Sequence, residues 1–203
     1  MTLEFLLTSL VIVASPGTGA IYTIAAGLSG SARSSLIAAF GCTLGIVPHM
    51  LAAISGLAAL LHTSALAFEV IKYFGVAYLL YMAWTIFRDR GLLSVGESEA
   101  GKTAGQVIGS AIIINLLNPK LSIFFFAFLP QFVRADATAP VAQMLQLSLG
   151  FMAMTFAVFA VYGALAVFLR RHVISSVTVQ NWMRRGFAGG FAGLAAQLAL
   201  SER

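Results

Sequence analysis

Apolar runs long enough to cross a bilayer recur along almost the whole chain, separated by short polar turns, and no other feature narrows the fold so far. A membrane-crossing helix needs about 20 mostly apolar residues. Only 9% of the residues are charged, and the mean hydropathy is +0.94. A water-facing domain carries roughly a quarter, so this surface faces lipid, where the bilayer replaces water as solvent. A chain of 203 residues has room for one compact domain.

The runs fall at roughly residues 3–28, 36–61, 66–87, 107–132, 141–169 and 186–201. The polar stretch 88–106, with Arg88, Asp89, Arg90, Glu97, Glu99 and Lys102, reads as a solvated loop between two three-helix halves, 1–87 and 107–203. The last run is short and contains Gln197, so length alone leaves five or six spans open. The first run lacks the basic start and small-residue cleavage site of a secretion signal, and is expected to be a retained span.

The net charge of +5 suggests nucleic acid, but the basic residues lie between apolar runs rather than in one stripe. Counted by alternating side, Arg33, Arg88, Arg90, Lys102, Arg170, Arg171, Arg184 and Arg185 share one face of the membrane. Lys72, Arg134 and Arg203 share the other. Basic loops favour the cytoplasm, so 88–106 is expected inside and the N-terminus outside. The single cysteine, Cys42, can form no intramolecular disulfide and reads as a small buried hydrophobe.

Two prolines interrupt the runs near their middles, in Ser15-Pro16-Gly17-Thr18 and in Asn118-Pro119-Lys120. Proline has no N–H and clashes with the carbonyl four residues back, here Ile12 and Asn115. Ser15 and Asn118 are favoured helix N-caps, and proline is favoured just after a cap. Each site therefore reads as a break between two half-helices. The second half would present amide N–H groups and a partial positive charge, suited to a carboxylate. Gly17 and Gly19 would let such a ligand approach the backbone. Taken singly, either proline is better explained as a packing kink. Taken together, each opens a three-span half, which matches inverted-repeat transporters whose broken helices build the substrate site.

Lys120 is the second signal. A lysine at mid-bilayer costs about 2.5–3.5 kcal/mol on insertion scales, so it faces a cavity or a partner unless it snorkels to the interface. No acidic residue lies in mid-span, which leaves carbonyls freed by the break, water or a substrate carboxylate as its partners. Asn115, Asn118 and Ser122 share one helical face and offer hydrogen bonds. The expected substrate-binding set is Ser15, Pro16, Gly17, Thr18, Asn115, Asn118, Pro119, Lys120 and Ser122. His49, after Pro48, either carries protons or is a neutral histidine bonded within the bundle. Gly41 and Gly45, and Gly186, Gly189, Gly190 and Gly193, read as close-packing faces.

Several of these motifs together resemble the LysE/RhtB-type amino-acid exporters over nearly the full length. They are Ser15-Pro16-Gly17, the glycine-spaced second span from Gly41, the stretch from Lys72-Tyr73-Phe74-Gly75 to Tyr81, and Asn118-Pro119-Lys120 leading into Phe126-Ala127-Phe128-Leu129-Pro130-Gln131-Phe132. The resemblance implies six spans, an inner-membrane location and gradient-driven export. One departure is Thr18, where the family usually repeats proline; it adds a hydroxyl beside the break.

The expectation is an all-α integral membrane fold, six transmembrane helices as two inverted three-helix repeats, broken at Pro16 and Pro119. It would export amino acids or related zwitterionic metabolites. Its partners are the bilayer and a small-molecule substrate, with a homo-oligomer left open and nucleic acid excluded. No cofactor or metal is expected. An exporter of inorganic cations is the alternative, weakened because hard cations want clustered carboxylates and soft ones thiolates or histidines. An intramembrane enzyme is the alternative of another class, but the chain has no Gly-x-Ser-x-Gly element and no paired intramembrane aspartates.

Overall fold

The computed structural model describes residues 1–15, 17–29, 31–60, 102–134 and 138–168, with scattered helical positions within 73–88 and 178–200. Helix α1 (Leu3–Ala14) starts on Thr2, whose side chain accepts from the Phe5 amide, and carries Glu4 in its first turn. Both features suit the positive end of a helix. Helix α2 (Thr18–Ser29) follows at an angle of 56°. Helix α3 (Ala32–Leu44) is capped by the Ser31 hydroxyl and runs into α4 (Val47–Leu60) through Gly45 and Ile46. That cap starts the helix at residue 32, inside what the sequence presents as a polar turn before residue 36.

Helix α5 (Ala104–Leu116) likewise starts inside the expected loop 88–106. Thr103 and Gln106 form a reciprocal capping box there, a pairing that satisfies two end groups at once. The second break follows, where α6 (Pro119–Ile123) begins, and the stretch Lys120–Phe132 runs at 57° to α5. It widens into a π turn over Phe124–Phe128 and tightens into a 3-10 turn over Leu129–Phe132. Helix α7 (Pro140–Phe168) has 29 residues, about 43 Å at 1.5 Å per residue, so it must tilt in a hydrocarbon layer of about 30 Å.

Among the described residues there is no strand. Among the described residues two stretches are long and apolar enough to cross a membrane, Ala32–Gly56 and Pro140–Phe168, and each bent pair adds one more if counted as a single span. The third and sixth expected spans lie largely outside the described residues.

Small residues bring the helices together. A Cβ on Gly41 would lie 2.7 Å from Ala111 Cβ and 2.9 Å from Ile108 Cα, so α3 and α5 touch backbone to backbone. A Cβ on Gly27 would lie 2.8 Å from the Gly163 carbonyl, joining α2 to α7 in the same way. Lipid tails are as apolar as leucine, so this close approach, rather than a hydrophobic drive, holds such helices together. A Cβ on Gly186, Gly189 or Gly193 would meet nothing within 4 Å. No close contact of these three is found among the described residues, and Gly190 lies outside them.

Aromatic rings lock the segment beyond the second break. Phe124 stacks on Phe151 of α7 at 4.0 Å, Phe125 meets Phe151 edge-on at 5.7 Å, and Phe132 meets Phe5 of α1 edge-on at 5.4 Å. The outward faces stay apolar, with Leu3, Leu7, Ile113, Leu149 and Val161 all more than half exposed, as lipid contact requires.

Candidate functional site

The two breaks meet. Lys120, at the second position of α6, sends its ammonium across to the end of α1, 2.9 Å from the Ile12 carbonyl and 2.9 Å from the Ser15 carbonyl. Ile12 O is the acceptor that Pro16 cannot serve, because proline has no N–H to give it. Pro16 itself lies outside the described residues. Lys120 is only 5% exposed, so its charge is held inside the protein instead of snorkelling to an interface. Its position at the C-terminus of α1 also matches the partial negative charge of a helix end.

Ser15 closes α1 instead of opening α2. It is the C-cap, its amide donates to Val11 O, and its hydroxyl donates back 2.7 Å to Ile12 O. The expected N-cap role is thus corrected: a serine before a proline can bond in either direction, and the freed carbonyl draws it backward. Tyr162 of α7 completes the account by donating its phenol to the Ala14 carbonyl. Ile12, Ala14 and Ser15 all therefore have side-chain donors.

The second break is sealed from the other side. Asn118 caps α6, its side-chain oxygen accepting from the Lys120 amide at 3.1 Å. The carbonyl that Pro119 leaves without its helical donor is Asn115 O. It accepts from the Asn118 amide at 3.1 Å and faces His49 Nε2 of α4 at 3.1 Å. A carbonyl can only accept, so Nε2 carries the proton, and a neutral ring then presents Nδ1 as an acceptor. With the ring neutral, the Ser122 hydroxyl, 3.3 Å away, donates to it. The Asn115 side chain ties this break to span two, donating 2.6 Å to the Cys42 carbonyl while its oxygen accepts from Asn118 Nδ2 at 3.3 Å.

Two glycines make the junction fit. A Cβ on Gly17 would stand 2.9 Å from the Lys120 ammonium, and one on Gly19 would collide with the Asn115 side-chain oxygen. The space that the sequence suggests for a ligand is thus filled by the chain's own polar groups. Ser15, Gly17, Asn115, Asn118 and Lys120 are buried together, and Pro119 opens α6 beside them. Ser122 is half-buried and turned to His49, while Thr18 is exposed with its hydroxyl 3.5 Å from Ile114 O. Tyr162 is the participant that sequence reading missed, although a phenol deep in a long apolar helix needs an acceptor.

Among the described residues no three His, Cys, Asp or Glu side chains gather into a metal-binding group. The junction's chemistry is that of one ammonium, carbonyls, two carboxamides, hydroxyls and one imidazole.

Apolar broken helices enclosing a polar, charge-bearing junction define a multi-pass membrane protein built like a carrier. The chain belongs to the LysE type translocator family, whose model matches residues 10–202. It is a transporter and not an enzyme. It is 34% identical over 98% of its length to an uncharacterized membrane protein of Vibrio cholerae, covering 97% of that protein. It is 33% identical to a homoserine/homoserine lactone efflux protein of Salmonella typhimurium, over 64% of this chain and 63% of that one. It is 27% identical to a leucine efflux protein of an Enterobacter species, over 93% of this chain and 90% of that one. No solved structure matches the chain with significance.

Tyr162→Phe removes one donor from an end carbonyl in the apolar layer. It should destabilise the protein by about 1 kcal/mol, read from reversible unfolding in mixed micelles. Unchanged stability would mean that the Ala14 carbonyl does not depend on Tyr162.

Proposed function

We propose that this chain exports amino acids or related small zwitterionic metabolites across the bacterial inner membrane, driven by an ion or proton gradient. Relatives named for efflux of homoserine, homoserine lactone and leucine support the substrate class. The observation that carries the site is the Lys120 ammonium, which spans from one broken helix to the carbonyls of the other. Six spans in two inverted halves, 1–87 and 107–203, fit this junction, since each half contributes one break. The matched bends of 56° and 57° favour the same arrangement.

In this reading Ser15 to Thr18, Asn115, Asn118, Pro119, Lys120 and Ser122 surround the substrate. His49 is the weaker element, a residue for proton coupling. Protonation of its Nδ1 would turn Ser122 from donor to acceptor and reorganise the contact behind the second break. Alternating access would then tilt one half against the other around the junction.

Overexpression in a sensitive bacterial host, challenged with a panel of amino acids and toxic analogues, tests this. Wild type should raise tolerance and external accumulation for one substrate group. Lys120→Met at equal membrane abundance should lose that effect at least about tenfold, the scale of one lost charged contact. Export at the wild-type rate by the variant would remove Lys120 from the transport site. For orientation, Val95→Cys should react with impermeant reagents only from the cytoplasmic side, and labelling of intact cells from outside would reverse the topology.

A further inference from the structure

Among the described residues, the place where Lys120 sits has the shape of a ligand site. The Ile12 and Ser15 carbonyls converge on one ammonium at 2.9 Å each, at the negative end of α1. Gly17 forms the wall: a Cβ there would come within 2.9 Å of Nζ and 3.0 Å of Cε. The two carbonyls and Gly17 therefore close in on an ammonium and its attached methylene. N–H···O contacts near 2.9 Å suit a primary ammonium. A hard metal ion would instead draw six or more oxygens to about 2.0–2.6 Å.

We propose that this socket is a binding site for the primary ammonium group of the transported molecule, and that Lys120 fills it as a tethered surrogate until the substrate displaces it. The exchange replaces one ammonium by another, so the carbonyls keep a cation throughout. The displaced Lys120, the one buried Lys or Arg among the described residues, then turns to the substrate's carboxylate. A molecule with one ammonium and one carboxylate brings no net charge into a low-dielectric site, where unpaired charge is most unfavourable. A second cationic group would upset that balance, and an acid without an amine could not open the socket. The identity of the natural ligand rests on the amino-acid export proposed above; the socket itself does not.

The test uses purified full-length Lys120→Ala in detergent or nanodiscs, with propylammonium chloride as the probe, because propylamine is the part of the side chain removed. Propylammonium should raise the melting temperature of the variant by a few degrees, saturably, through ligand linkage. Tetramethylammonium, which has the charge but no N–H, and sodium at equal ionic strength should not. Wild type, its socket full, should not respond to propylammonium, and adding Gly17→Ala should abolish the variant's response. No shift, or equal shifts with all three cations, would overturn the socket. Should the alanine variant not fold, Lys120→Met, which keeps the stem volume, is tested with ammonium chloride against the same controls and judged in the same way. A failed socket beside intact wild-type amino-acid efflux leaves the exporter standing. A responsive socket in a chain that exports no amino acid would instead remove the substrate class.

Discussion

A carbonyl oxygen that loses its helical donor inside an apolar layer has no water to turn to, and leaving it bare costs several kcal/mol. This chain creates that situation twice, at Ile12 and at Asn115, each four residues before a proline. Both oxygens are met by side chains from other segments: Ile12 O by Lys120 of the second broken span, and Asn115 O by His49 of α4. Each break therefore draws on a second element beside its local donors, the Ser15 hydroxyl and the Asn118 amide. The close glycine contacts of α2, α3, α5 and α7, and the phenylalanines around Phe151, hold those elements within reach.

In the exchange proposed above, the same arrangement gives the junction its capacity to change. A continuous helix satisfies its own backbone and offers nothing to a solute. A break bridged by a long, flexible ammonium can exchange one donor for another at comparable energy, provided the new donor is also a cation. Lysine suits this better than arginine, because its compact ammonium sits on a mobile stem and makes point contacts instead of a planar fork. Lys120 and Asn115 pack this closely on Gly17 and Gly19 only because those positions lack side chains.

Much of this was legible in the residues, and what was not has identifiable causes. Apolar length marked spans one, two, four and five, and both breaks followed from the chemistry of proline. Helix starts were misplaced where capping overrides polarity: Ser31 and the Thr103–Gln106 box extend helices into stretches that look like loop. The capping box has a local signature and could have been read. Ser15 closes α1 rather than opening α2, and a serine before proline does not by itself state which neighbour it serves. Lys120 had three candidate partners by sequence, and the choice among them depended on a backbone more than a hundred residues away. Tyr162 was missed for the same reason: its acceptor lies 148 residues earlier.

The bridge from Lys120 to α1 can be measured directly by dipolar-recoupling solid-state NMR on bilayer samples. The samples carry nitrogen-15 at lysine Nζ and carbon-13 at isoleucine or serine carbonyls. One lysine ammonium should recouple to each carbonyl type at about 4 Å, the 2.9 Å hydrogen bond lengthened by the C=O bond, and that signal should vanish in Lys120→Met. Absence of any such recoupling in wild type, or its survival in Lys120→Met, would contradict the account.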